Sequence, residues 1–244
     1  MTTATARRTS LRSGARALVT VLFAMVGLAP AARGQAQITA AEYAARRDSL
    51  AARVGDGVVV AFGGRTPITD FGPFNQIPTF RYLTGYEYAD AALVMTVQRG
   101  RGTSTLFVNR STPRRALYYG EEPDSAALAH ELMLASRSAG DLKPVMDSLA
   151  SAGLAVYSLR DVEDADFAAS DSLTRGGQFI RTLVARHPGL TVKDAASIVS
   201  ELRAKKSPAE MALIRKAAEI SVEGHRELMR RIEPGMHEYD LQAI

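Results

Sequence analysis

Four residues towards the C-terminal end, Ser207-Pro208-Ala209-Glu210, constrain the fold more than any others in the chain. Ser207 can act as an N-cap, Pro208 takes the first helical position where its missing N–H costs nothing, and the Glu210 carboxylate can reach back to close a capping box. A long helix has to start there. Met211, Ile214, Ala218, Ser221, His225, Met229 and Ile232 then recur at three- and four-residue spacing and give one semi-apolar face over about six turns. Pro234-Gly235 ends that helix, and Glu238-Tyr239-Asp240-Leu241 reads as the first turn of another, with acids near its positive end. An exposed face of this kind requires a partner layer. The sequence stops inside the next element, at Ile244, which suggests a truncated or fragmentary chain.

Upstream, Thr39 and Glu42 are spaced as a capping box with Ile38 and Tyr43 at the staple positions, predicting a helix to about Arg53 that Gly55 and Gly57 end. Val58–Phe62 is a β-branched run that reads as a buried strand. Residues 63–79 hold Gly63, Gly64, Pro67, Gly72, Pro73 and Pro78 and read as a structured loop. Ala91–Val97 and Thr105–Val108 flank Gln98-Arg99-Gly100-Arg101-Gly102 and predict a hairpin. Helices are expected over Asp124–Ser138, Lys143–Ser151 and Ser170–Arg186, and a strand over Leu154–Leu159. Alternating helices and strands with at least one hairpin make the fold class α/β, with a mixed β-sheet flanked by helices.

The composition, 46% hydrophobic and 23% charged over 244 residues, is that of a globular protein of one or two domains. A pI near 9.5 invites a nucleic-acid reading, so the position of the charge decides. Residues 1–36 carry Arg7, Arg8, Arg12, Arg16 and Arg33 and no acid; taking these five from the 30 basic residues leaves 25 against 26 acids. The remainder is not basic, and nucleic acid is excluded as a partner. Residues 1–36 instead read as an export signal: an arginine-rich start, a 13-residue apolar run from Ala17 to Ala29, and cleavage after Gly34 or Ala36. The run is shorter than the roughly 20 residues a span needs, so no permanent membrane anchor is expected. Arg7-Arg8-Thr9-Ser10-Leu11-Arg12 resembles a twin-arginine signal with Ser10 where that pattern prefers Phe, and Sec export stays equally open. The expected location is periplasmic or secreted. With no cysteine, neither disulfides nor thiol catalysis are available.

Self-contained catalytic motifs are missing. His130-Glu131 would need a second histidine where Leu134 stands. Gly55–Val60 lacks the third glycine of a dinucleotide fingerprint, Gly102–Leu106 lacks the last glycine of a nucleophile elbow, and no Gly-Lys pair makes a P-loop. Asp161, Glu163, Asp164 and Asp166 do not have calcium-loop spacing and read as a solvated turn. His130, His187, His225 and His237 are scattered and read as structural or surface residues.

Two ordered sets of residues resemble a known family. Phe80-Arg81-Tyr82-Leu83-Thr84-Gly85-Tyr86 followed by Asp90-Ala91-Ala92-Leu93-Val94 resembles the N-terminal domain signature of aminopeptidase P, in the creatinase and prolidase superfamily. Ser200-Glu201-Leu202-Arg203, Lys206–Glu210, Ile214-Arg215, Ala218, Ile220, His225, Pro234-Gly235-Met236 and Glu238-Tyr239 are similar to the start of its catalytic domain. The resemblance runs from about Glu42 to Ile244. It implies an N-terminal domain over residues 37–189 and the beginning of a catalytic domain of pita-bread form over residues 190–244.

In that family two divalent metal ions, often manganese, share a water that attacks the bond before proline. The resemblance implies that the ligands, two Asp, one His and two Glu, lie downstream of the segment matched by Pro234–Leu241, so this chain holds no catalytic or metal residue and is expected to be inactive alone. Tyr118, in Tyr118-Tyr119-Gly120, stands where some members place an aromatic that lines a neighbouring subunit's active site, which makes it a candidate substrate-side contact. The sequence departs from the family at Asn75, Arg81 and Tyr88-Ala89. His225 is expected to pack or hydrogen-bond, and His237 stands at the cap of the last helix. The implied parent is an exported Xaa-Pro aminopeptidase, a homo-oligomer acting on peptides with penultimate proline. The alternatives are a non-catalytic binding or oligomerisation module and a fragment of a prolidase- or creatinase-like hydrolase.

Overall fold

Val58, Val59, Val60 and Ala61 leave a strand no solvated side, and in the computed structural model the whole of Gly57–Phe62 (β1) is buried. The structure describes residues 37–66, 74–159 and 174–243. Residues 38–244 form one unit. The expected export signal, the middle of the glycine- and proline-rich stretch, the Asp161–Asp166 acids and the first residues of the helix expected from Ser170 lie outside the described residues.

The expected hairpin is present as Ala92–Gln98 (β2) and Arg101–Val108 (β3), which pair antiparallel from Ala92↔Phe107 to Gln98↔Arg101. Its two-residue turn places Arg99 at φ 51° and Gly100 at φ 73°, the left-handed pair that suits the twist of the strands. β1 pairs antiparallel with β2 and parallel with Val156–Ser158 (β5). Ala135–Ser138 (β4) joins β3 in parallel, and Val192–Asp194 (β6) joins β5 in parallel. The order β4-β3-β2-β1-β5-β6 is the mixed sheet expected.

The period of two along the strands divides the core. Val59, Ala61, Leu93, Met95 and Val97 face Leu50, Phe80, Leu83, Leu128 and Val199. These come from helices Ala40–Ala51 (α1), Pro78–Thr84 (α2), Ser125–Leu132 (α4) and Ala196–Ala204 (α7). Val58, Val60, Phe62, Ala92, Val94 and Phe107 face Leu142, Met146, Ala150 and Leu183 of helices Leu142–Ser151 (α5) and Arg175–Arg186 (α6). A seven-residue helix, Pro113–Tyr119 (α3), follows β3.

Two expectations change. The helix expected over Asp124–Ser138 ends at Leu132, because Met133 turns left-handed at φ 50°, Leu134 drops into the core and Ala135–Ser138 finds a ladder on β3. Asp124 caps this shorter helix, its carboxylate accepting from the N–H groups of Ala126 and Ala127. The loop expected over 63–79 gives way at Pro78 and Thr79, which open α2, with Pro78 in the first turn and Gly85 as a left-handed C-cap at φ 69°. The sheet also continues past residue 190: β6 forms its edge, and Ala195 and Val199 are core residues.

The long helix runs from Pro208 to Arg231 (α8) with the full capping box at Ser207 and Glu210, and Glu238–Gln242 (α9) follows. None of the 24 residues of α8 is buried. Among the described residues no helix is long and apolar enough to cross a membrane.

Candidate functional site

Where β1 ends and β2 begins, several polar side chains hold the chain in a fixed frame. Gln76 accepts from the N–H of Gly64 at 2.7 Å and of Ile77 at 2.9 Å, and donates to the carbonyls of Tyr86 at 3.2 Å and Tyr88 at 2.9 Å. Asp90, at φ 64°, takes the Thr66 hydroxyl at 2.5 Å and its N–H at 3.2 Å. Arg175 donates to the carbonyls of Asp90 and Ala91 at 2.9 Å each, which ties α6 to the same corner.

Beside this frame opens a cleft of about 520 Å³. Its lining includes the aromatic residues Phe74, Tyr86 and Tyr88 and the acidic residues Glu87, Glu122 and Glu131. Apolar surface beneath carboxylates suits a group that is both greasy and cationic. Glu87 also pairs with Arg81, one of the family-divergent positions, at 2.5 Å in an exposed ion pair. Tyr88, another such position, packs its ring against Tyr86 at 5.3 Å between centroids, and Asn75 is exposed.

Tyr118 is in the last turn of α3, a helix, and its side chain lies outside the described residues. Glu122 and Pro123, just beyond it in the chain, line the cleft. The histidines do not converge. His187 contacts Asp147 at 3.1 Å, His225 hydrogen-bonds the Ser221 carbonyl at 2.8 Å on the exposed side of α8, and His237 heads α9 with its ring stacked on Tyr239. Among the described residues no group of three or more His, Asp or Glu side chains could hold a metal ion.

A second constellation lies at the start of α8. Arg46 is 7% exposed and donates to Glu42 at 2.5 Å and to the Tyr82 carbonyl at 3.2 Å, and it pairs with Glu210 at 3.2 Å. Its guanidinium lies 4.3 Å from the centre of the Tyr82 ring. Burial pushes the Tyr82 phenol up, and Arg46 opposes that shift. The reciprocal half of the expected box at Thr39 is replaced by this pairing: Thr39 still accepts from the Glu42 N–H, but the Glu42 carboxylate turns to Arg46.

Next to it, Arg47 donates to the carbonyls of Leu83 at 2.9 Å and Met133 at 3.2 Å, and burial pushes its guanidinium down. Sequence reasoning passed over both arginines. The available signals were Glu42 one turn before Arg46 and Leu50 one turn beyond Arg47 on the core face.

Comparison with known proteins agrees with this architecture. Residues 43–157 match the family described as aminopeptidase P, N-terminal domain. The Xaa-Pro aminopeptidase of Escherichia coli is 25% identical over 85% of this chain and 48% of its own length. A probable Xaa-Pro aminopeptidase of Sclerotinia sclerotiorum is 28% identical over 70% of the chain and 28% of its own length. The chain thus spans about half, or less, of the curated relatives it matches.

Among solved structures, zinc-substituted E. coli aminopeptidase P in complex with product superposes with a TM-score of 0.67 at 25% identity, covering 85% of this chain and 48% of that one. A proposed aminopeptidase P from Bacillus anthracis shares the fold with a TM-score of 0.74 at 17% identity, over 84% of this chain and 50% of that one. By sequence over residues 43–157, and by fold, the chain is similar to the N-terminal part of aminopeptidase P proteins.

Proposed function

We propose that this chain is the N-terminal portion of an exported Xaa-Pro aminopeptidase, whose complete form hydrolyses the bond between an N-terminal residue and a penultimate proline. The observation that carries this reading is the junction of a family-matched domain, residues 43–157, to a capped 24-residue helix that leaves its apolar side uncovered. Met211, Ile214, Met229 and Ile232 are all more than a third exposed. That side fits a following catalytic half, which would bring the two divalent metals, Mn2+ in our reading, with ligands of its own. In this reading the steps of hydrolysis take place in that half.

The domain over residues 37–189 would restrict access to that half and support a homo-oligomer, with Tyr118 as its contact to the peptide. The carboxylate-lined cleft beside Glu122 supports placing a peptide amine on this side of the domain. Residues 1–36 would direct export to the periplasm or beyond.

The test compares the 244-residue chain with a version extended through the downstream coding sequence, each incubated with Mn2+ and an Xaa-Pro peptide. Turnover by the extended chain alone supports the reading. Turnover by the 244-residue chain overturns the claim that catalysis needs the following half, and silence of both with a folded extended chain overturns the peptidase.

A further inference from the structure

A capping box decides where a helix begins, not where it points. Both of its bonds at α8, Ser207 N–H to Glu210 at 2.8 Å and Glu210 N–H to Ser207 at 3.1 Å, are internal to the helix start. The preceding helix α7 is held separately, by Tyr82 donating to the Leu202 carbonyl at 3.2 Å and Arg203 donating to Thr79 at 3.1 Å. Between them lie three residues, Lys205, Lys206 and the N-cap Ser207, with Lys205 and Ser207 extended. No residue of α8 is buried, and its first turns are half-covered at Ala209, Glu210 and Ala212, so packing orients it weakly.

What remains is the second oxygen of Glu210. One carboxylate oxygen closes the box and the other pairs with Arg46 at 3.2 Å. Arg46 is itself fixed by Glu42, by the Tyr82 carbonyl and by the Tyr82 ring. The Nη2 that faces Glu210 donates to Glu42, so the Glu210 contact is an ion pair, and its hold on the helix comes from attraction to a guanidinium that is itself fixed in place. The site is sheltered, with side-chain exposures of 7% for Arg46 and 17% for Glu210, so water screens the pair weakly.

We propose that Arg46 is a positioning residue that fixes the direction in which helix α8 leaves the domain, with Glu210 acting as both helix cap and direction pin. The proposal concerns the junction inside this chain and holds whether or not a peptidase half follows.

The absence of native cysteines makes it directly measurable. Ala185→Cys on α6 and Ala218→Cys on α8, both at exposed positions, carry spin labels for pulsed EPR distances in the 244-residue chain. The parent pair should give a single narrow distance. Arg46→Met and Glu210→Ala should each lose it for a broad distribution, Arg46→Lys should restore it only in part, and Ser207→Ala, which removes a cap bond but keeps the ion pair, should keep it. A narrow, parent-like distance in Glu210→Ala, or equal broadening in Ser207→Ala, would overturn the proposal even if Arg46→Met failed to fold.

Discussion

Arg186 near the end of α6 grips Asp147 of α5 with two nitrogens, Nε at 2.9 Å and Nη2 at 2.8 Å from the same carboxylate oxygen. The helices that cover one face of the sheet are thereby cross-linked by an ion pair. Hydrogen bonding from Arg186, and secondarily from His187 and Lys143, holds the Asp147 carboxyl down to about 2, against partial burial. Its folded pKa lies below the ordinary value of 3.8, so the stability it contributes is complete above pH 3.8 and is lost as pH falls towards 2. Asp147→Asn should therefore flatten the pH dependence of unfolding across that window. Urea midpoints measured from pH 5 to pH 2 check this, and an unchanged acid slope would refute it.

Gly57 opens β1 at φ 152°, where a Cβ would come within 2.4 Å of the Ala155 carbonyl oxygen. That oxygen accepts the Val58 N–H at 2.8 Å and starts the β1–β5 pairing. A backbone atom cannot swing aside as a flexible side chain can. Gly57→Ala should cost at least about 2 kcal/mol, combining backbone strain with a weakened ladder bond. Chemical unfolding of the folded variant measures it; a cost within about 0.5 kcal/mol would show that β5 moves freely.

Leu183 is fully buried, and with Phe179 and Ile180 it seats α6 on the second face of the sheet. Truncating such a residue removes transfer energy and leaves a cavity, so Leu183→Ala should lose about 2–5 kcal/mol. The urea midpoint should fall with an unchanged slope if the transition stays cooperative.

Local chemistry was readable wherever it acted alone. The Ser207 cap, the Arg99-Gly100 turn and the unbroken apolar run of β1 each depend on neighbouring residues and stand as expected. Ala135–Ser138 was not readable, since its four residues have no apolar period and become a strand only because β3 offers an open edge. The helix at Pro78 was hidden by the glycines and prolines before it, although Pro at a helix start is itself a signal. Arg46 and Arg47 show the limit most plainly. Their partners are carbonyls of Tyr82, Leu83 and Met133 and the carboxylate of Glu210, far along the chain, and only the fold brings them together. The cleft beside Glu122 is assembled the same way, from residues before β2 and around α4.

The uncovered side of α8 yields a last prediction. Ile214 is 48% exposed and Met229 71%, so neither contributes much to the stability of this chain. Ile214→Lys with Met229→Lys should therefore leave its urea midpoint within about 0.5 kcal/mol of the parent, as for other exposed substitutions. The same pair should reduce binding of a hydrophobic dye, because it breaks a contiguous apolar strip. In a chain extended beyond Ile244 the lysines should instead lower the melting temperature, since charge would then be forced into a buried layer. Stabilities of the short and extended chains, each with and without the two lysines, separate the cases. An equal and small effect in both would mean that the following segment does not cover this side of α8, and the packing that underlies the proposed function would be wrong.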